Sequence, residues 1–216
     1  IARHVAHLSQ IPSLIVTHSG GIAALDMLPK NPLTRALARY LASGPMTFVS
    51  EQARARFARV CERSVATLPV LPMGFDAPRV PTSPQGVITR CERDGILLLG
   101  RAVEIKGGED VIEALASTRC CRGPYGATLH IVGDGPARDA WLELARVRGV
   151  PAMAYGTLTG EARDAVIGRC RVAIFGSKRL VSGREEGLPV AFLECAAAGV
   201  VPLVAHVPAS HPMLVD

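Results

Sequence analysis

Residues 183–199 read Gly183-Arg184-Glu185-Glu186-Gly187-Leu188-Pro189-Val190-Ala191-Phe192-Leu193-Glu194-Cys195-Ala196-Ala197-Ala198-Gly199. Polar and glycine-containing at its start and apolar afterwards, the stretch reads as a loop that breaks into a helix. Gly187 and Pro189 set the break, because a proline in the first helical turn gives up an N–H that has no intrahelical partner. From Pro189 to Ala198 the only charged residue is Glu194. A carboxylate in an apolar helix is costly to bury unless something pairs with it. Glu186 stands just before the helix, and seven residues separate it from Glu194, about two helical turns. The N–H groups and partial positive charge of a helix start suit a phosphate. A diphosphate there, with a carboxylate on each side for hydroxyl groups, makes a coherent nucleotide-sugar site. The competing reading is a buried helix with one stray and one exposed glutamate, and the rest of the chain has to decide between them.

Working back from that stretch, strands and helices alternate. Cys170–Phe175 is a strand before the loop from Ser177 to Glu186, and Val200–Ala205 a strand after the helix. Upstream strands are Ile96–Leu99, Leu129–Val132 and Met153–Tyr155. Helices are expected through Val111–Leu115, from Pro136 through Leu144, and over about 160–168. This alternation argues βαβ units and a parallel sheet. Glycines stand at the strand ends, on what would be one edge. Gly100-Arg101 and Lys106-Gly107 follow the first of these strands, and two cations there can converge on a diphosphate, Arg101 as a planar fork and Lys106 as a point charge. An exposed basic loop is the plainer alternative. Gly133-Asp134-Gly135-Pro136 fits any strand-to-helix turn, with Asp134 bonding nearby backbone; no Gly-x-Gly-x-x-Gly follows.

The first part of the chain is shorter on signals. Ile1–Ser9 has helical spacing that Pro12 stops, and Ser13–Thr17 is a short strand ending at His18-Ser19-Gly20-Gly21. A strand end followed by a glycine turn is where open α/β sheets place ligands. Pro32–Leu41 is a helix with Arg35 and Arg39 on one face, and Pro45–Val49 a strand. The next helix starts at Glu51 with Ser50 as its N-cap. Leu68–Pro72 reads as a strand leading to Met73-Gly74-Phe75-Asp76. Residues 77–93 carry Pro78, Pro81, Pro84 and Gly86 without apolar periodicity, which marks a linker.

The totals set bounds. The chain has 216 residues, 49% hydrophobic and 20% charged, with a formal net charge of +5. That is globular, and the charge fits nucleotide diphosphates or an acidic membrane surface but is too weak to argue nucleic acid. No apolar run reaches a membrane-spanning length and no signal peptide is visible. The six cysteines show no Cys-x-x-Cys pair, so free thiols in a reducing cytoplasm are expected. No Asp-x-Asp occurs, so no metal site and no cofactor is expected. The chain opens inside what reads as a helix and stops without a closing element, which reads as a fragment.

In order and spacing, Arg101, Lys106 and the Glu186-Gly187-Leu188-Pro189…Glu194 stretch resemble retaining glycosyltransferases of the GT-B fold, family 4 type (glycosyl transferases group 1). The resemblance covers nearly the whole chain and is densest over 96–204. It implies an α/β, GT-B-like fold of two Rossmann-like lobes with parallel sheets: a partial acceptor-side lobe at 1–76, a linker at 77–93 and a donor-binding lobe at 94–216. It also implies truncation at both ends, since the family's first strands and closing helix have no match here. Arg101 and Lys106 would bind the donor phosphates, Gly133 and Gly135 would line the nucleotide cleft, and the backbone of Gly156-Thr157-Leu158 would read the base. Glu194 would accept the ribose hydroxyls, Glu186 would approach the donor sugar and His18 would face the reaction centre. Ser19 stands between His18 and Gly20, where the family has His-Gly. Ser177 matches a family serine. Ala209-Ser210-His211-Pro212 departs from the family's paired glycines and glutamate, and residues 206–216 receive no role.

The implied reaction moves a sugar from a nucleoside-diphosphate sugar to a hydroxyl of a saccharide or lipid-linked acceptor, with retention of configuration. The setting would be polysaccharide or glycolipid biosynthesis, in the cytoplasm, with peripheral membrane association compatible with the charge. Two other classes stay open: a nucleotide-sugar-binding module without catalysis, and an epimerase or hydrolase on the same fold.

Overall fold

The computed structural model describes residues 14–17, 31–62, 65–78, 93–118, 121, 126–181, 186 and 189–205. The helix expected over Ile1–Ser9 lies outside them, as does most of the expected linker. The chain divides into two compact units. The first contains the described residues up to Met73, together with Val181 and Glu186; the second contains Gly74–Leu180 and the described residues from Pro189 onward.

In the first unit, β1 (Ile15–Thr17) pairs in parallel with β2 (Met46–Phe48), Ile15 opposite Met46. Helix α1 (Pro32–Ala42) opens with proline in its first turn behind Asn31, whose side chain accepts from the Thr34 N–H. Helix α2 (Glu51–Cys61) is capped as its sequence predicts: the Ser50 hydroxyl accepts from the Ala53 N–H at 3.1 Å. Phe48, Phe57, Ala38 and Cys61 form the centre of this unit's core. Arg35 forms an ion pair with Glu62 and Arg39 Nε donates to the Cys61 carbonyl, so both guanidinium groups serve the C-terminal end of α2. The strand expected at Leu68–Pro72 shrinks to a single bridge between Val70 and Phe48. Pro69 and Pro72 flank that bridge without an N–H to donate, and the ladder cannot extend past them.

The second unit is a five-stranded parallel sheet. Its elements in chain order are β3 (Gly95–Leu99), a 3-10 turn (Glu104–Lys106), α3 (Gly108–Ser117), β4 (Leu129–Val132), α4 (Arg138–Arg148), β5 (Ala152–Ala154), α5 (Gly160–Arg169), β6 (Cys170–Phe175), α6 (Val190–Ala197) and β7 (Val201–Val204). The strand order is β5-β4-β3-β6-β7. Alternating side chains of β3 divide between two cores. Ile96 and Leu98 pack with Val111, Ile112 and Leu115 of α3 and Trp141 of α4. Leu97 packs on the other face with Val166 and Ile167 of α5 and Phe192 and Cys195 of α6. The arrangement is α/β and Rossmann-like, with helices covering both faces of a parallel sheet.

Two helix starts differ from expectation. Helix α4 begins at Arg138 rather than Pro136, because the Ala137 N–H donates to the Ala102 carbonyl at 3.0 Å and Pro136–Ala137 stay in a turn against the loop after β3. Helix α6 begins at Val190, with Pro189 extended (φ −67°, ψ 139°) in the capping position rather than in the first turn. Pro189 still closes that turn, its carbonyl accepting from the Phe192 N–H at 3.0 Å. Among the described residues no helix is long and apolar enough to cross a membrane.

Candidate functional site

The chain leaves β3 and returns as β4 and β5 on one side, then crosses to β6 and β7 on the other. The crevice at the strand ends therefore opens between β3 and β6, where the direction of progression reverses. The loops at this edge are bonded to one another. Gly100 N–H donates to the Val132 carbonyl, Ala102 N–H to the Asp134 carbonyl, and Gly133 N–H to the Gly156 carbonyl at 2.7 Å. Gly133 has φ +135°, and a Cβ there would collide with the Gly100 carbonyl; only glycine allows the two loops to come so close. Asp134 accepts from the Gly135 N–H at 2.7 Å and pairs with Arg138 at 3.2 Å. Its carboxylate thus holds the turn, the structural role open to it in the sequence.

Arg101 directly follows Gly100 and is exposed. Lys106 is set by the 3-10 turn, whose end is closed by the Gly107 N–H donating to the Glu104 carbonyl at 2.9 Å. The Lys106 chain lies over Gly100, so that a Cβ on Gly100 would stand 3.4 Å from Lys106 Nζ. The two cations separated by four residues are therefore brought to one strand end. The loop after β6 is tied to the same turn: Lys178 N–H donates to the Ile105 carbonyl, and Lys178 Nζ pairs with Asp110 at 2.9 Å. Gly100, Arg101, Lys106, Phe175 and Ser177 line one small depression there. Two cations lining one depression at a strand end can neutralise a dianionic group.

Glu194 stands on α6 with 13% of its side chain exposed, and it has a partner. Arg163 of α5 donates from Nη1 to Glu194 Oε1 at 2.9 Å. The same guanidinium reaches Asp164 Oδ1 through Nε at 3.3 Å and Nη2 at 3.2 Å. The charged residue that stood alone in an apolar helix is thus half of an ion pair between α5 and α6. Sequence reasoning missed Arg163, because its partner is remote in the chain and meets it only through packing. The one local sign was a cation in the first turns of a helix, where the dipole disfavours it. At the other end of α6, Arg93 Nη1 donates to the Ala198 carbonyl at 3.0 Å, a favourable position for a cation.

Of the remaining expected residues, Gly133, Gly135 and Gly156 take part in the interlocked loops, and Leu158 packs against the core shared by α5 and α6. Glu186 is half-buried and belongs to the first unit. His18, Gly187 and Leu188 lie outside the described residues.

Solved structures share this fold. The HepE protein of Anabaena, in complex with UDP and glucose, superposes with a TM-score of 0.64 at 16% identity over 92% of this chain and 54% of that one. The lipopolysaccharide outer core galactosyltransferase WaaB gives 0.61 at 18% identity, over 94% and 52%. AviGT4, a glycosyltransferase of avilamycin A biosynthesis, gives 0.53 at 21% identity, over 74% and 43%. The chain therefore spans about half the length of these proteins. No curated protein matches the sequence. Residues 93–216, more than half of the chain and spanning the whole five-stranded sheet, match the family described as Glycosyl transferases group 1, and the chain belongs to that family.

Proposed function

We propose that this chain is the donor-binding part of a glycosyltransferase that moves a sugar from a nucleoside-diphosphate sugar to a hydroxyl of a saccharide or lipid-linked acceptor, with retention of configuration. The observation that carries the reading is the convergence of Arg101 and Lys106 at the end of β3, beside the reversal point of the sheet. A departing diphosphate gains charge as the glycosidic bond breaks. Cations already fixed in place stabilise it without reorganising. In this reading the phosphates meet Arg101, Lys106 and the start of α6, with no metal ion assigned. The ribose meets Glu194, and the base meets the backbone around Gly156–Leu158. HepE, crystallised with UDP and glucose, supports a nucleotide sugar as donor. WaaB, a lipopolysaccharide galactosyltransferase, supports an acceptor from surface-polysaccharide assembly. The buried free cysteines Cys170 and Cys195 are in keeping with a reducing, cytoplasmic setting.

The test is a thermal-shift series with UDP, GDP, ADP and their sugars on the wild type, Lys106→Ala and Glu194→Ala. A ligand that binds only the native state raises the melting temperature, by about 2.7 kcal/mol of stabilisation at a hundred times Kd. One nucleotide should shift the wild type, and the shift should shrink in both variants. Because Glu194→Ala also removes an ion-pair partner, its own melting temperature will fall, and the ligand-induced increment is the quantity compared. A folded wild type that no nucleotide shifts would rule the donor site out.

A further inference from the structure

We infer that Arg163 is a positioning residue that fixes the Glu194 carboxylate for recognition of the ribose hydroxyls, and so sets the preference for ribonucleotide over deoxyribonucleotide donors. The inference rests on the reading of Glu194 as the ribose-binding group and adds a second residue to it. Glu194 sits in the middle of an eight-residue helix, and a glutamate has three side-chain torsions to settle. A carboxylate must present its oxygens in a fixed direction to accept hydrogens from two neighbouring hydroxyls. No other residue of α6 carries a charge that could orient it. The guanidinium does. It is planar, it is itself clamped to Asp164 by Nε and Nη2, and it offers Nη1 to Glu194 Oε1 at 2.9 Å.

The bonding leaves the acceptor face usable. Each carboxylate oxygen has two lone pairs. Arg163 occupies one on Oε1, and Oε2 accepts no hydrogen bond among the described residues. The ion pair is neither deeply buried nor a surface contact: the side chains are 24% exposed for Arg163, 13% for Glu194 and 8% for Asp164. A ligand would reach the carboxylate through the 13% of the Glu194 side chain that stays exposed. Lysine could not do the same work, because a point charge reaches one carboxylate without fixing its plane. A cation so near the start of α5 works against the helix dipole, and two carboxylates, from α5 itself and from α6, offset that.

The experiment measures the affinity ratio between each nucleoside diphosphate (UDP, GDP, ADP) and its 2′-deoxy form, by calorimetric titration of the full chain. A ratio taken within one protein is insensitive to the fraction of it that is folded, so a destabilised variant is still readable. The wild type should prefer the ribonucleotide by about tenfold or more, the worth of one hydrogen bond to a charged acceptor. Glu194→Ala should bring the ratio to within about threefold of unity. Arg163→Ala and Arg163→Gln should do nearly the same while keeping affinity for the 2′-deoxy form. Arg163→Lys should recover part of the preference. Should Arg163→Ala fail to fold, Arg163→Gln, which preserves volume and polarity, carries the comparison. Full wild-type selectivity in the Ala or Gln variant, alongside its loss in Glu194→Ala, overturns the inference and leaves the ribose reading standing. Selectivity that survives Glu194→Ala overturns both. A folded wild type that binds none of the nucleotides removes the donor site and the inference with it.

Discussion

Burial pushes the thiols of Cys170 and Cys195 up to about 12 from an ordinary value of 9.0, with nearby carboxylates, Asp94 for the first and Glu194 for the second, adding to the shift. In the unfolded chain both ionise near 9. The stability they contribute is therefore present in full below about pH 9 and is lost as the pH rises from there towards about 12, by about 1.4 kcal/mol per thiol for each pH unit. The urea midpoint of the wild type should fall between pH 9 and 10, and the double variant Cys170→Ala/Cys195→Ala should show a flatter decline. Equal slopes would mean that the thiols ionise as freely in the fold as outside it. At this same scale the site was unevenly legible. Arg101 and Lys106 could be read in the sequence because both follow one strand and belong to one loop. Glu194 could be read because a charge in an apolar run stands out. Arg163 could not, since its place in the first turns of a helix, the one local sign, names no partner; the ion pair exists only once α5 and α6 lie on the same face of the sheet.

Helix α3 meets α4 through a position that looks unremarkable in the chain. Gly108 faces the ring of the wholly buried Trp141, and a Cβ there would overlap the indole. Gly108→Ala must displace the tryptophan or part the two helices. Overpacking of this kind costs about 1–3 kcal/mol. It should appear as a lower urea midpoint with an unchanged slope, while Gly149→Ala, where a Cβ has open space but φ is +68°, should lose stability through backbone strain alone. Elements themselves were largely legible. The five strands of the second unit are three to six residues long and mostly apolar, and the expected ranges match the observed ones to within a residue at each end. The misplaced boundaries share one cause. Proline marks where a helix or ladder is allowed to change, but the partner that takes the neighbouring N–H decides where it does change. Ala102 takes that of Ala137; at Val70 the flanking prolines have none to give.

At the scale of the molecule, the hydrophobic residues gather into separate cores. One lies within the first unit, around Phe48 and Phe57. Two more sit on the two faces of the five-stranded sheet in the second. Cooperative unfolding follows shared burial. Scanning calorimetry should resolve two transitions, and the nucleoside diphosphate found by thermal shift should raise only the one that belongs to the five-stranded sheet. A single transition that moves as a whole would mean that the two units unfold as one cooperative body.

The order β5-β4-β3-β6-β7 also has a consequence for how the chain is made. On emerging from a ribosome, β3 meets β4 after one helix. Its other edge stays open while the whole interval from Gly100 to Arg169, with α3, β4, α4, β5 and α5, is synthesised. Through that interval the most apolar strand of the sheet, Gly95–Leu99, presents unpaired backbone groups and the side chains of one uncovered face. Late closure of a central edge makes folding slow and the nascent chain prone to association with its own copies. The five-stranded sheet is born with its sticky centre first, and the yield in a cell will depend on how quickly translation delivers Cys170–Phe175 to cover it.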